Sequence, residues 1–141
     1  MLYLGMDART CLWERFGDLM YDGRHVLPRQ LWAKTVLTEI SVPGLRTCDL
    51  TKERTRSAMT VDMTALTSHE LSVPQAWGLA IQRHPAGFQA IKYASRFNDR
   101  ACLALFGTGN LPEQLKEKRV GPLTEIDEAE DWLEEHKVCL V

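Results

Sequence analysis

Residues 87–106 read Gly87-Phe88-Gln89-Ala90-Ile91-Lys92-Tyr93-Ala94-Ser95-Arg96-Phe97-Asn98-Asp99-Arg100-Ala101-Cys102-Leu103-Ala104-Leu105-Phe106. This stretch decides the fold. Phe88 to Ala94 is a short apolar run opened by a glycine, and Ala101 to Phe106 is a second. Asn98-Asp99-Arg100 lies between them with the chemistry of a turn. Two strands joined this closely place a sheet at the centre of the molecule.

Working outward, the same logic finds more strands and several helices. Residues 1–5 form an apolar run that reads as a strand. Asp7 can cap a following helix, because its carboxylate can accept a backbone N–H two or three residues on. In that helix Ala8, Cys11, Leu12 and Phe16 recur at helical spacing and should face the core, with an end expected at Gly17-Asp18. Residues 18–34 hold Gly23, His25 and Pro28 and read as a mobile connection. Val36 to Val42 is β-branched and partly alternating, hence a strand. Pro43-Gly44 signals a turn, and Leu45 to Leu50 reads as another strand. Residues 59–67 and 74–84 read as helices, the second opened by Pro74 and broken at Pro85 to Gly87. Gly107 to Pro112 reads as a loop. Residues 126–136 form an acidic helix, and Val138 to Val141 a final strand or tail. The sum is an α+β domain with a mixed, largely antiparallel sheet and flanking helices.

At 141 residues the chain has the size of one domain and can bury a core without staples. Hydrophobic residues make up 45% and charged residues 26%, a balance that excludes the disordered class. The formal net charge of −2 gives no global basic field, so direct nucleic-acid binding is not expected. The run Lys52, Glu53, Arg54, Arg56 is short and mixed and reads as a solvated loop. No apolar run approaches a membrane span, and the N-terminus lacks the pattern of a signal peptide. Cys11, Cys48, Cys102 and Cys139 are widely spaced and lack a CxxC pattern, so buried free thiols in a cytoplasmic protein are expected. His25, His69, His84 and His136 are scattered without paired ligand spacing and read as surface residues, and no metal is expected. No nucleotide-loop, zinc-protease or serine-hydrolase motif occurs.

Two groups of residues carry a recognisable pattern. The first is Tyr3-Leu4-Gly5 followed by Thr10-Cys11-Leu12-Trp13-Glu14. The second is Gln75-Ala76-Trp77, then Gly87 through Arg96 with its Tyr93-Ala94-Ser95-Arg96 ending, then Leu103-Ala104-Leu105-Phe106. Cys48-Asp49-Leu50-Thr51 lies between them. Together these resemble the RES domain, a family named for an Arg, a Glu and a Ser. The resemblance implies an ADP-ribosyltransferase-like fold over residues 1–141. It implies a toxin of a toxin–antitoxin system that consumes NAD, as an NAD phosphorylase, a glycohydrolase or an ADP-ribosyltransferase. It implies a helix-turn-helix (Xre-type) antitoxin as partner. Residue by residue, Glu14 and Ser95 match the family's catalytic Glu and Ser, and Tyr3 matches its NAD-contacting Tyr.

The family's Arg belongs upstream of the Tyr, and none of Arg9, Arg15 and Arg96 occupies that position. An N-terminally shortened domain is therefore expected, or a reading frame that extends upstream. Open sheet edges would then favour a homo-oligomer. A catalytically inactive module that keeps only the fold and a protein-binding surface is the alternative.

The roles fit elementary chemistry. Loss of nicotinamide leaves an oxocarbenium-like ribose, which a carboxylate such as Glu14 can stabilise. An aromatic face suits the flat nicotinamide, and a hydroxyl can fix the ribose or the amide. An arginine would hold the pyrophosphate through paired N–H donors. Taken singly, Tyr3 reads as an edge-strand aromatic, Glu14 as an exposed helical acid and Ser95 as a turn hydroxyl. Trp13 and Trp77 read as core residues rather than ligand platforms.

Overall fold

In the computed structural model, Asp7 caps as its position requires. Its Oδ1 accepts the Thr10 N–H at 2.7 Å, and the helix α1 (Ala8–Tyr21) follows. The structure describes residues 1–21, 23–66, 68, 70, 72–107 and 109–141. α1 does not stop at Gly17. A glycine inside a helix costs only about 1 kcal/mol relative to alanine. Burial of Leu12, Phe16 and Met20 along one face outweighs that cost and carries the helix on.

The central sheet has four strands in the order β1-β6-β5-β4: β1 (Leu2–Gly5), β6 (Ala101–Leu105), β5 (Ala90–Ala94) and β4 (Thr47–Asp49). β1–β6 and β5–β6 are antiparallel, whereas β4–β5 is parallel. Tyr3 pairs with Ala104, which pairs with Ile91, which pairs with Cys48. Strand periodicity therefore sends one alternate set, Tyr3, Ala104, Ile91, Tyr93 and Cys48, to one face. Leu4, Leu103, Leu105 and Ala90 take the other, where Leu111 closes a small apolar cluster.

The crossover from β4 to β5 carries α3 (Glu53–Met59), α4 (Met63–Leu66) and α5 (Ser72–Gln82). Ile81 of α5 packs on the first sheet face, with Cys48, Leu50, Ile91, Ala104 and Phe106. A separate core joins α1 to α2 (Arg29–Lys34) and α7 (Asp127–Glu135). There Trp32 and Trp132 stack at 6.4 Å, both essentially fully buried.

Several expectations are corrected. Residues 23–34 are built into the domain rather than forming a mobile connection. β2 (Val26–Leu27) pairs parallel with β8 (Cys139–Leu140), and buried Leu27 and Trp32 hold the segment to α7. The 59–67 helix is instead two helices separated by Thr60, whose left-handed φ of 54° ends α3; position 67 lies outside the described residues. Lys52 to Arg56 is not a loop but the start of α3, and Arg56 donates to the Leu50 carbonyl at 2.8 Å. The strand expected at 45–50 is confined to β4. The 107–112 loop runs into α6 (Leu111–Gln114).

β7 (Lys116–Pro122) had no counterpart in the sequence reading. It pairs antiparallel with β3 (Val36–Ser41), with a register shift between Leu37 and Thr38. Its charged residues face solvent, so it lacks the apolar alternation that marks a strand.

Cys48 and Cys102 are buried, but Cys11 is only partly so and Cys139 is exposed; none is in a disulfide. His136 is half-buried against Trp13 and Trp132 rather than on the open surface. His69 lies outside the described residues. Among the described residues no helix is long and apolar enough to cross a membrane.

Candidate active site

The site begins with α1. Asp7, Thr10, Glu14, Gly17 and Asp18 follow one another at helical spacing and share a stripe. Against that stripe lies the turn that joins β5 to β6. Ser95, about 1% exposed, donates its hydroxyl to Glu14 Oε1 at 2.6 Å. Ser95 Oγ in turn accepts the Phe97 N–H at 3.2 Å. Asn98 Nδ2 donates to Thr10 Oγ1 at 3.3 Å, and Arg100 Nη1 reaches Asp7 Oδ2 at 3.3 Å. Arg96 Nη2 bonds Asp18 Oδ1 at 2.5 Å, and its guanidinium lies 4.7 Å from the Phe97 ring centroid. Backbone bonds close the turn: Ser95 N–H to Arg100 O at 2.7 Å and Asp99 N–H to Ser95 O at 2.9 Å.

Two glycines allow these approaches. A Cβ on Gly17 would come within 2.7 Å of the Phe97 ring, so only glycine seats that ring on α1. A Cβ on Gly5 would meet Cys11 Sγ at 2.7 Å and Cys11 N at 2.9 Å, where the chain leaves β1 and folds back as α1. That tight return carries Glu14 alongside the sheet face that holds Tyr3.

Beside this seam lies a cavity of about 620 Å³. Tyr3, Ile91, Tyr93 and Ala104 form its floor. Glu14, Asp18, Arg96 and Phe97 form one wall, and Trp77, Gly78, Ile81 and Gln82 of α5 form the roof. Its volume is that of a small-molecule site, and its lining is mostly apolar with few polar groups, as such sites are.

Burial, and then the nearby Glu14 charge, push the Tyr93 phenol well above its ordinary value. The same two causes raise the Cys102 thiol to about 12. Tyr93 and Cys102 pair across β5 and β6, and both stay protonated at neutral pH. Within the floor, Glu14 thus has a neutral phenol, that of Tyr93, near it. At the head of the stripe, burial opposes ionisation of Asp7. Hydrogen bonds from Thr10 and the charge of Arg100 overcome it and hold its carboxyl below the ordinary value.

The structure brings the three residues singled out in the sequence to one place. Tyr3 and Glu14 line the cavity. Ser95 does not line it but sits behind Glu14 and grips its carboxylate. Tyr93, Arg96, Phe97 and Asp18 also line the cavity, and the sequence reading gave them no role. Tyr93 was open to discovery, since it lies two residues from Ile91 on a strand and must share its face. Trp77 is corrected: it lines the cavity and is not a core residue. Trp13 does pack inward, edge-on to Trp132 and stacked 6.2 Å from Phe97. Among the described residues no three His, Cys, Asp or Glu side chains converge as a metal site would require.

The family model of the RES domain matches residues 1–127. No curated protein and no solved structure matches the chain. The match spans most of the sequence, and the chain belongs to the RES-domain family.

Proposed function

We propose that this RES-domain protein is a toxin that cleaves the bond between nicotinamide and ribose in NAD. The observation that carries the reading is the Ser95–Glu14 hydrogen bond of 2.6 Å at the edge of an apolar cavity. A buried hydroxyl fixes one carboxylate oxygen of a side chain that lines the cavity. Such a carboxylate can stabilise an oxocarbenium-like ribose or orient the incoming nucleophile. The exposed ring of Tyr3 offers a flat surface for nicotinamide on the same floor. Phosphate, water and a protein side chain would all attack the same sugar carbon, so phosphorolysis, hydrolysis and ADP-ribosyl transfer share this geometry. A helix-turn-helix antitoxin of the Xre type is the proposed partner, acting by covering the cavity in the cytoplasm.

The test incubates the purified protein with NAD, with and without phosphate, and follows nicotinamide release. Wild type releases nicotinamide, and Glu14→Ala lowers the rate about 10³-fold or more. Intact NAD at high wild-type concentration overturns the reading.

One observation favours a second reading, an inactive RES-like module that keeps fold and interaction surface. Arg96 is the one basic side chain among the described residues lining the cavity, and it is already engaged by Asp18. Growth arrest on expression, relieved by Ser95→Ala, excludes this second reading.

A further inference from the structure

We infer that Arg96 is the phosphate anchor of the cavity and that Asp18 is an internal stand-in for the substrate's phosphates, displaced when a dinucleotide binds. The inference rests on the proposed NAD chemistry and assigns a binding role within that same site.

A dinucleotide carries two negative charges on its pyrophosphate. The described cavity lining offers two carboxylates, Glu14 and Asp18, and one basic side chain, Arg96. Among the side chains of the described lining, charge-assisted contact to phosphate therefore falls to Arg96. Its position suits that task. Ser95, the preceding residue, bonds the carboxylate proposed to face the nicotinamide ribose. The phosphates hang from that ribose, so their anchor must lie close to Glu14. The turn from Ser95 to Asp99 brings both Arg96 and Phe97 onto the cavity wall.

The two members of the ion pair differ in how they are held. The Arg96 side chain is 22% exposed and lies over Phe97, which is itself seated on Gly17. The Asp18 side chain is 73% exposed. An exposed carboxylate contributes little to such a pair and is readily hydrated when released. Arg96 thus stays in place while its carboxylate partner is exchanged for phosphate. Asp18 keeps the guanidinium aimed and satisfied in the empty cavity, at the cost of competing with substrate.

The experiment is calorimetric titration of the full chain with ADP-ribose, which carries the phosphates and no scissile nicotinamide bond, and with nicotinamide, which carries no phosphate. Arg96→Gln weakens ADP-ribose binding about tenfold or more, Arg96→Lys recovers part of the loss, and nicotinamide binding is unchanged. Asp18→Asn removes the competitor and tightens ADP-ribose about two- to fivefold. Salt weakens ADP-ribose binding in wild type and does so less in Arg96→Gln. Should Arg96→Gln melt early, the exposed Asp18→Asn variant carries the test alone. Unchanged ADP-ribose affinity in folded Arg96→Gln, or weaker binding in Asp18→Asn, overturns the anchor. Wild type that binds nicotinamide but not ADP-ribose overturns the anchor and leaves the NAD reading standing. Wild type that binds neither overturns both.

Discussion

The two sides of the cavity are built on different principles. On the α1 side, directional bonds do the positioning. Glu14, Thr10, Asp18 and Asp7 each meet a named atom of the 95–100 turn. On the α5 side, Ile81 is fully buried against the sheet, and the roof residues that line the cavity meet it mainly through apolar surface. Polar bonds fix a group to within tenths of an ångström, while apolar contact fixes volume and little else. The side that holds Glu14, the carboxylate of the proposed reaction, is the directional one. The side that closes the cavity over the sheet is the apolar one.

Substitutions can break this contrast, and the largest stability effect belongs to the apolar side. Ile81→Ala removes a fully buried side chain and costs about 2–5 kcal/mol in a denaturant melt. The pH profile of nicotinamide release keeps its shape, because Glu14 and its donor are untouched. Ser95→Ala on the other side costs less, about 1–3 kcal/mol, through the Phe97 N–H and the carboxylate it leaves without their partner. Its loss in turnover is larger than its loss in stability. Equal turnover in the two variants at a temperature where both are folded would erase the distinction between the walls.

The smallest effect sharpens the picture at the head of the seam. Asp7→Ala removes the cap of α1 and costs about 0.5–2 kcal/mol. Because the folded protein holds the Asp7 pKa below its unfolded value of about 3.9, its contribution is complete above that value. It is lost as pH falls through the lower, folded value. Melting curves of wild type and Asp7→Ala therefore differ at pH 7 and converge in strong acid. A constant gap down to low pH removes the carboxylate from the explanation.

The same contrast explains what could be read from the sequence. The strands β1, β5 and β6 and the Asp7 cap follow from apolar runs and one carboxylate, all local signals. Tyr3, Glu14 and Ser95 stood out only as a joint pattern, since each alone has an ordinary structural explanation. The seam itself was hidden. Thr10, Glu14 and Asp18 look like the solvated side of a helix, and their partners lie 78 to 88 residues away. Arg96 was dismissed because it does not occupy the family position of the Arg, although the turn returns it to the cavity wall. Gly17 looked like a helix end because the ring it accommodates comes from Phe97. β7 was invisible because a solvent-facing strand beside a single partner needs no buried alternation.

The parallel pairing of β4 with β5 has a kinetic consequence. A parallel pair cannot be joined by a tight turn, so the chain from residue 50 to residue 89 must close as one long loop before β4 can dock. β5 and β6 need only their short turn, and that turn already holds Ser95. The order of assembly then runs from hairpin to roof: the β5–β6 hairpin forms early, and the crossover that encloses the cavity is fixed late. The turn that carries Ser95 thus forms before the crossover closes the chamber, whereas its bond to Glu14, 81 residues away, waits for α1 to dock.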